Sequence, residues 1–229
     1  MKKLIVTGCS VTHGTELVDN YSPENIRLSY SQVIADKLNC DLVNVALPGG
    51  SNEYIFHSAL ECLSKYSDIH SLIVAWTFPD RLHWYYGGRH WFFNPSWGST
   101  SRRLSNNMHV KKINGVTITS DIECYLDTVE LQHRILVDHY FTDNNLTTDH
   151  LNEKTKHYSQ ALSAVCHSRQ IQLIEVDAAM NYFLDVFRFE SLGLSYIREQ
   201  RHPNKEEHRI IAEKILETYY GGIAQLGEQ

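Results

Sequence analysis

A mainly parallel α/β fold is what the sequence predicts, and three observations carry that prediction. Leu4-Ile5-Val6 is an apolar run of strand length at the start of the chain, cut off by Gly8. Further strand-like segments follow at Asp41–Leu47, Ser71–Trp76 and Ile171–Val176. Between them lie segments whose apolar residues recur at helical spacing, as the crossovers of a parallel sheet require. Short runs of this kind, stopped by turn residues, suit strands covered on both faces.

The 229 residues fit one domain with a sizeable core, so residues 1–229 are expected to form a single unit, with an insertion at about 82–119. A net charge of -6 argues against a nucleic-acid partner, because phosphate binding needs a basic patch. The dense basic pairs, Arg102-Arg103 and Lys111-Lys112, read as solvated loop charge. Five scattered cysteines without a Cys-x-x-Cys pair suit reduced thiols, and the first apolar run is too short for a signal-peptide core. No run approaches membrane-spanning length. A cytoplasmic location with no membrane partner is the expectation.

In chain order, the first strand delivers Gly8-Cys9-Ser10-Val11-Thr12-His13-Gly14 to the carboxyl edge of the sheet, where open α/β sheets bind ligands. Residues 15–25 read as a polar surface loop. Tyr30, Val33, Ile34 and Leu38 then mark a helix that stops near Asn39. The second strand ends in Pro48-Gly49-Gly50-Ser51-Asn52, where adjacent glycines let a backbone amide approach a ligand and Ser51 or Asn52 can cap the helix over 53–66. The third strand exits through Thr77-Phe78-Pro79-Asp80-Arg81.

Regular patterning lapses after Leu82 into a segment dense in aromatic residues, among them Trp84 and Trp91. These read as substrate-binding surfaces for a sugar or nucleobase, or equally as a small separate core or a subunit contact. Asn114-Gly115 between alternating residues predicts a hairpin. Helices are expected over 121–142 and 148–168, and an irregular stretch over 180–198. A last helix should be capped by Asn204, with Glu206 and Glu207 in its first turn. Asp149, His150 and His157 lack the spacing of a metal site, and neither a metal nor a cofactor is expected.

The first turn and Glu199-Gln200-Arg201-His202-Pro203 together resemble the first and last blocks of the SGNH, or GDSL-type, hydrolase family. Cys9 stands where the family has aspartate, and Glu199 stands where it has aspartate three residues before the histidine. The resemblance implies a three-layer α/β/α sandwich with a flavodoxin-like sheet. It also implies hydrolysis of an ester, on a small molecule or a glycan, by a Ser10-His202-Glu199 triad. Asn44-x-Ala46-x-Pro48-Gly49 matches the family block whose glycine amide serves the oxyanion hole, which implies Gly49 and the Ser10 amide as donors. The family's third block is replaced here by Trp76-Thr77-Phe78-Pro79-Asp80, leaving Thr77 or Asn52 as the nearest groups able to supply a third donor.

Serine needs a base to take its proton, and His202 is the candidate. His13 adjoins the turn and is expected to face solvent or substrate. Cys9 is a weaker nucleophile candidate, because its side chain should point away from that of Ser10. Two other readings stay open on the same residues: a glycan- or nucleotide-binding module without hydrolysis, and an acyltransferase.

Overall fold

The computed structural model describes residues 1–18, 22–79, 81–86, 89–94, 109–113, 116–120, 148–178, 187–194 and 202–221. Its strands are β1 (Lys3–Thr7), β2 (Asp41–Asn44), β3 (Ile69–Trp76), β4 (Leu82–Tyr86), β5 (Arg89–Asn94), β6 (His109–Ile113), β7 (Val116–Ser120), β8 (Gln172–Asp177) and β9 (Phe187–Arg188). Its α-helices are α1 (Ser10–His13), α2 (Glu24–Leu28), α3 (Tyr30–Lys37), α4 (Asn52–Lys65), α5 (Thr148–Ser168) and α6 (Lys205–Tyr220).

Five strands form one sheet in the order β2-β1-β3-β8-β9, each neighbouring pair parallel. Successive side chains of a strand point to opposite faces, and both faces here are apolar. Leu4 and Val6 of β1, Ile73 and Ala75 of β3, and Ile174 and Val176 of β8 share one core with Ile34 of α3 and Ile211 and Ile215 of α6. Ile5, Leu72, Val74 and Trp76 share the other with Ile55 and Ala59 of α4 and Leu162 and Cys166 of α5. Burial on both faces makes the molecule a three-layer α/β/α sandwich, and its strands accordingly lack polar alternation.

Two polar pairs tie these layers together. The indole N–H of fully buried Trp76 donates to Glu175 Oε1 at 2.8 Å, across the β3–β8 pair. The hydroxyls of Ser71 and Tyr220 lie 2.6 Å apart, joining β3 to the end of α6.

The expected strands and crossover helices are present, as is the hairpin flanking Asn114-Gly115, with Ile113 opposite Val116. It belongs to a separate antiparallel sheet in the order β4-β5-β7-β6. Residues 121–142, read as a helix, lie outside the described residues. Two expectations are corrected. The polar segment over 15–25 is not all surface loop: Thr15 and Asn25 are buried, and Glu24–Leu28 forms α2. The stretch read as irregular over 180–198 supplies β9, two residues long, and a 3-10 turn at Phe189–Leu192.

Helix α6 starts with a complete capping box. Asn204 Oδ1 accepts from the Glu207 amide at 2.9 Å, and Glu207 Oε2 accepts from the Asn204 amide at 2.8 Å. One turn on, fully buried His208 accepts the Tyr30 N–H at its Nδ1, 3.1 Å away. Tyr30 is the first residue of α3, whose N–H has no acceptor within its own helix, so an imidazole from α6 caps α3.

Burial, with a smaller contribution from nearby His202, pushes His208 from 6.5 down to about 3. A histidine held neutral in the fold but free to protonate when unfolded contributes stability that is complete above pH 6.5 and lost as pH falls toward 3. H208N, whose amide oxygen can still accept from Tyr30, should therefore remove about 2 kcal/mol of the stability lost between pH 7 and pH 5. Urea unfolding of both proteins at the two pH values measures it, and parallel pH dependences would refute the assignment.

Candidate active site

The chain leaves β1 toward β2 on one side and returns to β3 on the other, so the β1–β3 boundary is the topological switch point of the sheet. The crevice beyond the strands' carboxyl ends opens there. Gly8 shapes it. A Cβ at Gly8 would stand 2.6 Å from Thr12 Cβ and 3.0 Å from Ala75 Cβ, and would collide with Thr12 Oγ1. Without one, α1 folds back onto the ends of β1 and β3. Ser10 is the first residue of that turn and is 7% exposed. Its amide lies where a helix offers no internal acceptor.

The turn is fastened on several sides. Thr12 Oγ1 lies 3.0 Å from Tyr30 OH. Asn44 Nδ2 donates to Thr12 O at 3.1 Å and to Ser31 Oγ at 2.9 Å, while its Oδ1 accepts the Ala46 N–H. The Leu47 N–H donates to Gly8 O at 3.1 Å, binding the exit of β2 to the exit of β1. Gly49, next along, has φ +81, a conformation that a side chain would strain. The Gly50 N–H closes this turn on Leu47 O at 2.8 Å. Ser51 caps α4 by accepting the Tyr54 N–H.

Asn52 and Thr77 are joined to each other. Asn52 Nδ2 donates to Thr77 O at 3.0 Å and to Thr155 Oγ1 at 3.2 Å, and Asn52 Oδ1 accepts the Thr77 N–H at 2.7 Å. Both amide hydrogens of Asn52 and the Thr77 amide are thus engaged within the protein. What they do is tie the start of α4 to the exit of β3 and to α5.

His202 stands two residues before the Asn204 cap, on chain that α6 anchors. Its Nδ1 lies 3.3 Å from Glu16 Oε2, a carboxylate–imidazole contact. Glu16 follows Thr15, whose N–H donates to Ser10 O at 3.0 Å. The imidazole from the end of the chain therefore rests against the loop that leaves the Ser10 turn. Burial holds His202 below the usual imidazole range; Glu16 opposes that shift and Arg81, beyond β3, adds to it. Arg81 is itself buried, its guanidinium 5.1 Å from the centre of the Phe78 ring.

Ser10, Gly49 and His202 thus lie on elements that meet at one sheet edge. Among the described residues, the link between serine and imidazole is the segment over 10–16, in which the Thr15 N–H bonds Ser10 O and Glu16 meets the imidazole. Glu199 lies outside the described residues. His13, expected to face solvent or substrate, is 8% exposed, because the single turn of α1 carries it inward. Cys9 is buried in the core that also holds Leu4 and Val6. Trp84 and Trp91 are cross-strand partners of the β4–β5 pair. Sequence reasoning missed Glu16, Arg81 and His208, none of which sits in a recognisable pattern. Among the described residues no three His, Cys, Asp or Glu side chains are grouped to hold a metal ion, and no helix is long and apolar enough to cross a membrane.

The class these observations define is a parallel α/β sandwich with a serine turn at its switch point. No protein-family model matches the sequence, and neither does any curated protein. Among solved structures the chain is similar to a psychrotrophic esterase, EstA, from Pseudoalteromonas sp., at 9% identity and TM-score 0.48 over 100% of both chains. It is similar to an acetyl xylan esterase, AlAXEase, at 10% identity and TM-score 0.44, over 93% of this chain and 97% of that one. A member of the lipolytic protein G-D-S-L family from Veillonella parvula DSM 2008 is similar at 14% identity and TM-score 0.39, over 96% and 99%. Similarity at this level assigns no residue a role.

The Asn52 bridge generates a prediction of its own. Asn52→Ala strands the buried Thr77 amide and carbonyl, and should cost about 2–3 kcal/mol of stability, read as a lowered Tm in calorimetry. An unchanged Tm would show that the bridge does not hold the exit of β3.

Proposed function

We propose that the protein is a serine hydrolase that cleaves an ester through an acyl-enzyme. Ser10 Oγ attacks the ester carbonyl while His202 Nε2 takes its proton. The tetrahedral intermediate then collapses as His202 returns the proton to the departing alcohol. Water repeats the sequence on the acyl-enzyme, releasing the acid and restoring Ser10. The Ser10 and Gly49 amides, whose turns are bonded together through Gly8 O and the Leu47 N–H, are the proposed oxyanion donors. Each such donor is typically worth about 3 kcal/mol. Asn52 and Thr77 act behind them by fixing the exit of β3.

The observation that carries this reading is the contact of His202 with the loop leaving the Ser10 turn, at the switch point of the sheet. Trp84 and Trp91, opposite each other in the β4–β5 register, are the proposed contacts for the alcohol part of the ester, a small molecule or a glycan. Cytoplasmic action on such a substrate, without nucleic acid or membrane, fits the composition.

Two tests follow. A fluorophosphonate should label Ser10 alone, and S10A should lose both the label and cleavage of a short-chain aryl ester. An unlabelled Ser10 with retained glycan or nucleotide binding would overturn hydrolysis in favour of a binding module, and acyl transfer to added alcohol exceeding release to water would indicate a transferase. For the base, a histidine pushed below 6.5 stays neutral into mild acid. The acid limb of kcat/KM should therefore have its midpoint below pH 6.5, and a midpoint above that value would contradict His202 as the base.

A further inference from the structure

We infer that Glu16 is the carboxylate that orients His202, filling the role that the sequence reading gives to Glu199. The inference deepens the Ser10–His202 reading and rests on it. Glu16 Oε2 lies 3.3 Å from Nδ1, the nitrogen on the opposite side of the ring from the one that would serve Ser10. A carboxylate there favours the tautomer with the proton on Nδ1, leaving Nε2 free to accept.

The backbone holds Glu16 to this position at some cost. Its φ is +75, in the left-handed region that residues with a Cβ seldom occupy. The strain persists because the chain is tied on both sides. The Thr15 N–H donates to Ser10 O at 3.0 Å, the Leu17 N–H donates to Gly14 O at 3.1 Å, and the Val18 N–H donates to Asn25 Oδ1 at 2.8 Å, with Asn25 fully buried. Backbone strain over-determined in this way concentrates at functional sites. Nucleophile and orienting acid then belong to one short, braced segment six residues apart, and the base alone arrives from the far end of the chain.

Among the described residues, the charged and titratable groups that bear on His202 include Glu16 from the Ser10 loop, Arg81 from the exit of β3 and neutral His208 from α6. Glu16 raises the His202 pKa against burial and Arg81, so removing its charge should lower that pKa. Glu16 acts through the imidazole and is a positioning residue, which a kinetic loss alone would not distinguish from a structural one.

The test uses the full chain, unmodified and as Glu16→Gln, Glu16→Asp and Glu199→Gln, with His202 titrated by NMR and aryl-ester hydrolysis followed against pH. E16Q should lower the His202 pKa and move the acid limb the same way. It should also cut kcat at least about tenfold with KM little changed. E16D, which keeps the charge, should retain part of both and covers the case in which E16Q folds poorly. A His202 titration that follows Glu199 and ignores Glu16 overturns the inference. The NMR arm is independent of turnover: a His202 pKa that responds to Glu16 in a protein without esterase activity would uphold the contact and sink the hydrolase reading instead.

Discussion

The close approach at Gly8 is the constraint on which the rest of this structure depends. A Cβ at that position would collide with Thr12 and crowd Ala75 of β3, so its absence lets α1 turn back over the end of the sheet. Everything fastened to α1 follows from that fold-back. Tyr30 bonds Thr12, His208 caps Tyr30, and Asn44 holds the Thr12 carbonyl. The serine turn is thereby bonded to α3, to the exit of β2 and, through α3, to α6, the helix that anchors His202.

Much of this was legible in the sequence. Strands buried on both faces announce themselves as apolar runs, and Asn204 followed by Glu207 three residues on is a capping signal. The parallel sheet and the last helix were therefore readable, and α5 spans the predicted residues. The two-residue β9 was not, because a strand that short has no periodicity to detect. The segment after Gly14 was misread as surface for a different reason. Its burial comes from Asn25 accepting the Val18 amide inside the loop, and a polar residue satisfied by backbone looks the same in sequence as one in water.

The candidate site divides along the same line. Ser10, Gly49 and His202 stand in patterns, and the elements bearing them converge. Glu16 stands in none. Its relation to His202 spans the length of the chain and depends on a backbone conformation that composition does not encode. Asn52 illustrates the converse: it was legible as a polar group near the exit of β3, but its hydrogens are directed to Thr77 and Thr155, a use that only coordinates reveal.

Electrostatically, His202 is balanced between burial and Arg81, which favour neutral imidazole, and Glu16, which favours the imidazolium. A base needs both tendencies, one to stay deprotonated in the resting protein and the other to hold the proton once serine has attacked. The measurement that tests this account most directly is a crystal structure with a boronic acid bound as a tetrahedral adduct. The account predicts boron bonded to Ser10 Oγ, with His202 Nε2 within about 3 Å of an adduct oxygen. An adduct elsewhere, or an imidazole turned away from Ser10 with the adduct in place, would contradict it.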